Sequence, residues 1–222
     1  MKLKITPELA YLSGVLMGDG SINVRKEKHD YEVSCVGNPK DEKEFYQNIV
    51  SPLIYKLFNK KVEPKHHHKN TTYGVRFWSK EIVEFLTQKL EHPIGKKYNK
   101  IKIPTKIKRA KLVSQFIRGV ADTDFCISFK KRNKKIPYYP VISGVSKNKL
   151  FIEEIAIFLE RKGIALCRTY NYKQFDKRFK KGFAITNRID IYGFSNLKKW
   201  MEEIRFSNQK HLNKIQKYGR KK

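Results

Sequence analysis

The sequence predicts an α+β protein built from two copies of one αββαββα unit. The first observation is an internal repeat: YLSGVLMGDGSINV, residues 11 to 24, and FIRGVADTDFCISF, residues 116 to 129, share one outline. Their acids Asp19 and Asp124 stand 105 residues apart, and Gly14 and Gly119 keep the same offset. The second observation is that helix-period and strand-period segments follow one another in the same order in both halves.

The repeat, rather than the length of 222 residues, decides the domain organisation. Length alone fits one large domain or two small ones. We predict a first repeat at residues 1–90 and a second at 109–222. Between them, EHPIGKKYNKIKIPTKIK at 91–108 combines proline, glycine and lysines without a clear period, so we interpret it as a linker.

The first repeat opens with a helix at residues 7–17. Thr6 is suited to its N-cap and Pro7 to its first turn. Pro52 lies inside the next helical pattern and is expected to kink it. The remaining predicted elements are strands at 21–26, 31–37, near 61–68 and at 73–79, and helices at about 40–58 and 80–90.

The second repeat follows the same order. Gly163 stands at the C-cap position of its middle helix, where glycine commonly ends a helix. Trp78 and Trp200, in the matching last strand and helix regions of the two repeats, are expected in the core. The predicted elements are helices at about 109–123, 147–163 and 194–204, and strands at 125–131, 139–146, about 165–173 and 183–193.

Charge is the strongest compositional signal. The chain has 49 Lys and Arg against 21 Asp and Glu, a formal net charge of +28. Such an excess opposes compaction and favours a polyanionic partner, above all nucleic acid. A membrane surface, an acidic protein or a ribosomal site are the alternatives. The charge is spread along the chain, so we expect a basic surface built into the fold rather than a basic tail.

The cysteines and the hydropathy pattern predict the compartment. Cys35, Cys126 and Cys167 are far apart and lack C-x-x-C spacing, which favours reduced thiols and argues against a zinc ribbon. No apolar run approaches 18 residues, and the N-terminus lacks a signal-peptide pattern. We expect a soluble intracellular protein, in cytoplasm and nucleoid or in an organellar matrix, with no membrane partner.

Small residues occupy one face of each motif helix: Ser13 and Gly14 in the first, Gly119 and Ala121 in the second. Small residues let two helix backbones approach closely, so we expect the motif helices to pack together. Such packing would bring together the acids at the two C-terminal ends. The helix dipole repels a carboxylate at that end, so another charge should compensate.

The paired acids predict a divalent metal site. Carboxylates without a His or Cys partner suit hard cations, above all Mg²⁺, which also bridges to phosphate. Metal ions stabilise the attacking and leaving oxygens of phosphodiester hydrolysis, and in so basic a chain this chemistry indicates a nuclease. The alternative is that Asp19 and Asp122 only end helices at polar turns. Matched acids in two repeats favour the metal site.

The segments GVLMGDG, residues 14 to 20, and GVADTDF, residues 119 to 125, resemble the two copies of the LAGLIDADG motif of homing endonucleases. The αββαββα order, the GKK followed by IP in the linker, and a helix opening with KNK after a strand are also similar to single-chain, two-repeat members. The resemblance spans residues 7 to about 204.

This resemblance implies a pseudo-twofold monomer. The motif helices would form the central interface, and a four-stranded antiparallel sheet from each half would form a curved basic saddle on double-stranded DNA. The target would be long and pseudo-palindromic or asymmetric. One phosphodiester per strand would be cut, with a stagger across the minor groove. Such proteins are usually encoded inside introns or inteins.

The resemblance also implies the catalytic centre. Asp19 and Asp124 would bind the metals, with Gly18 and Thr123 beside them as further ligands. Mg²⁺ would be the cofactor, Mn²⁺ would substitute for it, and Ca²⁺ would bind without cleavage. No other cofactor is implied.

This sequence departs from the motif at several positions. Met17 replaces the first acid in copy one, so Asp122 in copy two is expected to be structural, and Phe125 replaces the usual last glycine. The family tends to place a basic residue after the second strand of each half. Lys147 fits that place as a catalytic residue in copy two, whereas copy one offers only the region of Asn38 and Lys40.

Residues at alternate strand positions should contact DNA, because strand side chains alternate between the two faces. Arginine and asparagine are suited to bases and most lysines to phosphates. Three consecutive histidines at 66–68 point to alternate faces and do not predict zinc. The candidate DNA-contacting residues are Asn23, Arg25, Lys65, His67 and Arg76 in the first repeat, and Ser128, Lys130, Arg132, Arg168, Tyr170 and Arg188 in the second.

Two other functions stay open at the sequence level. The chain could be an RNA-splicing maturase that binds its intron RNA, or a catalytically silent DNA-binding protein; retention of both acids favours the nuclease. The chain has no N-terminal Cys or Ser and no terminal His-Asn pair, so we expect a free-standing product rather than an intein-embedded one.

Overall fold

The computed structural model describes residues 3–175 and 181–219. They form two compact units, and neither unit is a continuous stretch of chain. The repeats predicted at 1–90 and 109–222 are repeats in sequence, whereas the compact units are divided differently. As far as the described residues reach, unit 1 comprises Met1–Lys97, Ile103–Thr123 and Phe206–Leu212, and unit 2 comprises Tyr98–Lys102, Asp124–Arg205 and Asn213–Lys222.

Unit 1 contains the first repeat and the second motif helix. Thr6 caps the first helix as predicted, because its hydroxyl oxygen accepts a hydrogen bond from the Leu9 backbone N–H at 3.2 Å. The elements are α1 (Pro7–Gly18), β1 (Gly20–Arg25), β2 (Asp30–Gly37), α2 (Lys43–Phe45), α3 (Ser51–Phe58), β3 (Lys65–His67), β4 (Thr72–Trp78), α4 (Lys80–Lys89), α5 (Thr105–Arg109) and α6 (Val113–Asp124), whose last residue, Asp124, belongs to unit 2.

Unit 2 contains most of the remainder of the second repeat, without residues 206–212. The Asn148 side-chain oxygen caps its first helix by accepting from the Phe151 N–H at 3.1 Å. Its elements are β5 (Phe125–Lys130), β6 (Tyr139–Ser146), α7 (Lys149–Arg161), β7 (Cys167–Phe175), β8 (Phe183–Tyr192) and α8 (Phe194–Glu203), followed by α9 (Gln209–Gly219), whose first residues belong to unit 1.

Each unit holds one antiparallel four-stranded sheet. The strand order is β1-β2-β4-β3 in unit 1 and β5-β6-β8-β7 in unit 2, so the predicted pattern of two hairpin-like strand pairs per repeat is confirmed. One face of each sheet packs on helices through buried side chains, including Ile22, Val33 and Phe77 in unit 1 and Ile127 and Ile191 in unit 2. We call the other face of each sheet its open face.

Four differences from the predicted elements have local causes. The helix predicted at 40–58 is interrupted by a wide π turn at Tyr46–Val50, which ends two residues before Pro52, whose missing N–H removes a helical hydrogen bond. The strand predicted near 61–68 shrinks to β3 because Pro64 cannot donate to a ladder. A left-handed residue, Lys111, separates α5 from α6, so the motif helix begins at Val113 instead of 109.

The fourth difference is α9, which the sequence analysis missed although Leu212, Ile215 and Tyr218 recur at helical spacing. Over residues 3–175 and 181–219, no helix combines the length and apolar character that crossing a bilayer requires. The expectation of a free-standing rather than an intein-embedded product was drawn from the chain ends. Residues 1–2 and 220–222 lie outside the described residues.

Candidate metal centre and nucleic-acid interface

The two motif helices are in direct backbone contact inside unit 1. A side chain on Gly14 would overlap the carbonyl oxygen of Phe116 and lie 3.0 Å from the amide nitrogen of Val120. A side chain on Gly119 would overlap the carbonyl oxygen of Tyr11. The predicted packing of α1 on α6 through small residues is therefore confirmed. It also explains why α1 is buried on all sides from Leu9 to Met17.

Asp19 is the C-cap of α1, and its backbone N–H still donates to the Val15 carbonyl at 3.0 Å. Tyr46, from the π turn, donates its hydroxyl to the Asp19 carboxylate at 3.2 Å. The Cys35 thiol lies 4.0 Å from the same hydroxyl. Burial, with the nearby Asp19 charge, raises the pKa of Cys35, and burial raises the pKa of Tyr46, so both stay protonated. The hydroxyl can therefore donate to an ionised Asp19.

A lysine from the predicted linker supplies the compensating charge expected at the end of α1. The Lys97 ammonium donates to the Met17 carbonyl at 3.0 Å and to the Gly18 carbonyl. A cation on the last carbonyls of a helix offsets the negative end of the dipole. Sequence reasoning named Gly18 as a metal ligand but missed Lys97. The GKK sequence that supported the family resemblance was the available signal.

The second motif helix has a comparable lysine. The Lys210 ammonium lies 3.4 Å from the carbonyl oxygen of Thr123, the residue before Asp124, and 2.6 Å from the buried Glu42 carboxylate. In both motifs, therefore, a lysine contacts the carbonyl that precedes the motif acid. Sequence reasoning also missed Lys210, because its contact depends on the return of residues 206–212 to unit 1.

Asp122 fixes that returning segment. Its carboxylate accepts the Tyr11 hydroxyl at 2.7 Å and the backbone N–H groups of Ser207 at 2.9 Å and Asn208 at 3.0 Å. Burial raises the pKa of Asp122 to about 6, while these hydrogen bonds act in the opposite direction. These contacts support the structural role expected for this acid. They hold Asn208 on α6, and Lys210 follows two residues later in the chain.

The residues at the motif ends fit a hard divalent cation. No group of three or more His, Cys, Asp and Glu side chains suited to a metal occurs in the described ranges, so an ion here would need carbonyl, water and substrate oxygens as well. Mg²⁺ binds in this way, through one or two carboxylates and substrate phosphates. The Gly18 carbonyl beside Asp19 already accepts a cationic group, the ammonium of Lys97.

The predicted basic catalytic positions have their own contacts. Lys147 follows β6 as expected, and its ammonium lies 4.8 Å above the Tyr98 ring in unit 2. In the first repeat, the Asn38 N–H donates to Glu42 at 2.6 Å, and the Asn38 side chain accepts from the Lys40 N–H at 2.9 Å. Glu42 also binds Lys210, so an acid and a distant lysine occupy this region.

All five candidates of the first repeat lie on the open face of the first sheet. The register pairs Asn23 with Glu32, and Glu32 with the exposed Trp78. Directly paired residues share a face, as do residues two apart along a strand. The open face therefore carries Asn23, Arg25, Lys65, His67 and Arg76, together with Asp30, Glu32 and Trp78.

The prediction that Trp78 is a core residue is wrong. It is 53% exposed, whereas Trp200 is fully buried as expected. The cause is the alternation of side chains along β4. Trp78 lies two residues from Arg76 and shares the open face with it, while Phe77 between them points into the core.

In the second sheet, four of the six candidates lie at the open face. Ser128 and Lys130 alternate with buried Ile127, and Arg188 alternates with buried Ile189. Arg132 follows β5, and its guanidinium stacks 3.9 Å above the ring of Tyr139, which pairs with Lys130.

Arg168 and Tyr170 lie on the covered face, contrary to the sequence interpretation. Arg168 pairs with buried Ile189 and forms ion pairs with Glu160 at 2.6 Å and Glu153 at 3.2 Å on α7. The ring of Tyr170 lies 4.8 Å below the ammonium of Lys149, also on α7. In the regular part of the ladder, Cys167 and Thr169 pair with the open-face residues Asp190 and Arg188, so Arg168 between them takes the covered face, which residue type alone does not reveal.

Comparison of the sequence with known proteins gives distant relatives. No known family model matches it. It is 30% identical over 208 residues to the replication factor C small subunit of Methanocaldococcus jannaschii, and 25% identical over 185 residues to the uncharacterised protein MJ0314 of the same organism. These matches cover 94% and 82% of this chain. The chain spans only 10% of the first relative and 64% of the second.

Comparison of the structure is more informative. Variants of the homing endonuclease I-DmoI match with a TM-score of 0.58 and 18% identity, over 89% of this chain and 88% of theirs. The LAGLIDADG homing endonuclease I-LtrWI, bound to its target DNA, matches with a TM-score of 0.56 and 14% identity, over 93% of this chain and 87% of its own.

The chain has the LAGLIDADG homing-endonuclease fold. This confirms the fold expected from GVLMGDG and GVADTDF, in its single-chain, two-repeat form. The α+β class with one four-stranded antiparallel sheet per repeat is confirmed as well. In the LAGLIDADG fold, Asp19 is the C-cap residue of α1 and Asp124 is the last residue of α6.

Proposed function

We propose that the protein is a monomeric, site-specific double-strand DNA endonuclease of the homing type. It binds a long target with the open faces of its two sheets, as the saddle implied by the family resemblance would, and hydrolyses one phosphodiester in each strand. The observation that carries this proposal is the pair of motif helices, packed through Gly14 and Gly119, that each end at an acid.

The structural neighbours support this assignment. I-DmoI has been described in complex with DNA and Mn and in complex with DNA and Ca, and a variant with its target DNA in the presence of Mg. A net charge of +28 supplies the attraction to DNA phosphates that such an enzyme needs.

Asp19 with the Gly18 carbonyl, and Asp124 with the Thr123 carbonyl, would hold divalent ions, with Mg²⁺ as the physiological ion, Mn²⁺ as a substitute and Ca²⁺ as a non-catalytic ligand. A bound ion supplies Lewis-acid stabilisation of phosphate charge. Lys97 and Lys210 hold positive charge at the two motif ends, where charge on a scissile phosphate would develop. Tyr46 keeps Asp19 oriented by donating to its carboxylate. Lys147 stays a candidate to polarise water in the second repeat.

The experiment is cleavage of a library of randomised duplexes with Mg²⁺, followed by sequencing of the cut ends. Asp19→Asn protein is the matched control. We expect staggered cuts within one long consensus, absent from the control. Enrichment of bound duplexes without cutting would overturn the nuclease proposal and identify a silent DNA-binding protein. Retention of structured RNA in preference to duplex would identify a maturase.

A further inference from the structure

Acids on the open sheet faces are unexpected in a protein of net charge +28. Asp30 and Glu32 lie on the open face of the first sheet and Asp190 on that of the second. A carboxylate in this place repels DNA phosphates and lowers affinity. Each of the three acids, however, forms an ion pair with an arginine on the same face: Arg25–Asp30, Arg76–Glu32 and Arg188–Asp190.

The network in the second sheet is the best defined. The Arg188 Nε lies 2.8 Å and 2.7 Å from the two carboxylate oxygens of Asp190, two residues along β8. Ser143, the cross-strand neighbour of Asp190, donates its hydroxyl to this carboxylate at 2.5 Å and accepts from Arg188 Nη2 at 3.1 Å. The Asp190 side chain is 8% exposed and that of Arg188 is 41% exposed, so the acid lies beneath the guanidinium.

The first sheet repeats the same orientation. Arg25 donates from Nε to Asp30 at 2.8 Å and makes a second contact through Nη2. The Nε of Arg76 lies 3.7 Å from Glu32, which is an ion-pair distance without a hydrogen bond. In all three pairs, therefore, the acid faces the Nε side of the guanidinium, and the supporting carboxylates are less exposed than the arginines.

This orientation leaves the outer edge of the guanidinium available. A guanidinium carries five N–H donors in a planar fork, and Asp190 and Ser143 engage two of those of Arg188. The remaining edge matches the paired acceptors O6 and N7 of guanine in the major groove. A lysine or an unsupported arginine would instead contact phosphate with little dependence on sequence.

We propose that Arg25, Arg76 and Arg188 read guanines, and that Asp30, Glu32 and Asp190 are positioning residues that fix them in the reading orientation. This inference rests on the proposed DNA-binding function and assigns its sequence-reading residues. Arg168 offers the contrast, because its two acids hold it on the covered face, away from any ligand of the open face.

The test is selection of bound duplexes from a randomised library, with Ca²⁺ in place of Mg²⁺ so that no cutting is needed. We expect Arg188→Ala to lose a guanine preference at one position of the selected site, by roughly tenfold or more. Asp190→Asn should weaken the preference at that same position while raising affinity for random duplex at low salt, because a negative charge is removed from the face.

Two further variants separate positioning from charge and from folding. Ser143→Ala should weaken the same guanine preference without raising random-duplex affinity, because no charge changes. Glu202→Gln makes the same charge change on α8, away from the open face, and should leave base preference intact. Thermal melting of each variant checks that it is folded.

Outcomes that would overturn the inference are distinct from failure of the proposed function. Selection of no consensus by wild-type protein would sink the DNA-binding proposal itself. A normal consensus whose guanine preference survives in Arg188→Ala or Asp190→Asn would overturn only the reading role. Loss of a cytosine preference in Asp190→Asn, with every guanine preference kept, would show that the acid reads the base directly, and would also overturn it.

Discussion

At the scale of single residues, a lysine beside each motif acid explains how carboxylates are tolerated at helix C-termini. Lys97 contacts the carbonyl before Asp19, and Lys210 contacts the carbonyl before Asp124. Both ammonium groups offset the dipole that would otherwise raise the free energy of an ionised carboxylate there. The same positive charge lies at the proposed metal centre, so one contact would serve both stability and the proposed chemistry.

Asp19→Asn and Asp124→Asn are each expected to abolish double-strand cleavage. Asparagine keeps the size of the side chain but loses the charge that holds a divalent ion. Specific binding in Ca²⁺ should remain within about tenfold of wild type, because the base-reading surface is elsewhere. Gel analysis of a supercoiled plasmid carrying the selected site measures both strands. Normal linear product from either variant would refute the assignment of the metal centre.

Lys97→Met should slow cleavage by about a hundredfold, the usual effect of removing one group that stabilises transition-state charge. Site binding should change little. Lys96→Met is the matched control, because the exposed neighbour carries the same charge but has no contact with the motif carbonyls. Single-turnover rates at saturating Mg²⁺ measure the effect. Equal rates for the two variants would show that Lys97 acts only through net charge.

At the scale of elements, the contact of α1 with α6 depends on the absence of two side chains. Gly119→Ala places a methyl group against the Tyr11 carbonyl, and backbone atoms cannot move aside as a flexible side chain can. We expect a loss of about 3 kcal/mol in the free energy of unfolding. Urea denaturation measures it, with Ser114→Ala in the same helix as control. A loss below about 1 kcal/mol would mean that the helices separate readily.

The attachment of residues 206–212 to α6 should depend on pH. Burial raises the pKa of Asp122 to about 6, so the folded state keeps this proton to higher pH than the unfolded chain does. The Asp122 contribution to stability is therefore largest below about pH 4 and falls as pH rises to about 6, by about 2 to 3 kcal/mol in all.

Asp122→Asn provides the reference for that measurement, because asparagine does not titrate. The free energy of unfolding of both proteins is measured from pH 4 to pH 7. As pH rises, the wild type should lose stability relative to the variant. A difference that is constant, or that changes in favour of the wild type, would contradict the raised pKa.

Local pattern predicted the elements well and the site only in part. Strand alternation correctly placed Asn23, Arg25 and Arg76 on one face, because β1 and β4 pair with β2 without a bulge and their side chains alternate regularly. It misplaced Arg168, because the face that each β7 residue takes is set by pairing with β8, here with buried Ile189, and not by residue type. Long-range contacts, such as that of Lys210 with Thr123, leave no local signal, since the two residues meet only after the chain returns.

At the scale of the whole molecule, the charge predicts how binding responds to salt. Lysines and arginines far outnumber acids, and much of the excess is exposed. If the open faces neutralise 6–10 phosphates, affinity for any duplex should fall by about 10³ to 10⁵ between 50 and 200 mM salt. Fluorescence anisotropy with a random duplex measures the slope. A nearly flat salt dependence would exclude the open faces as the phosphate-binding surface.

The return of residues 206–212 to unit 1 has a consequence for biosynthesis. Unit 1 also needs α6, so it cannot be completed from residues 3–97 as they leave the ribosome. Domains usually fold in order of synthesis, N-terminal first. Here the earliest part of the nascent chain must wait for nearly all of unit 2 to be translated before Lys210 reaches Thr123. A translating ribosome therefore carries no finished copy of the proposed cleavage centre, and a prematurely terminated polypeptide would lack one.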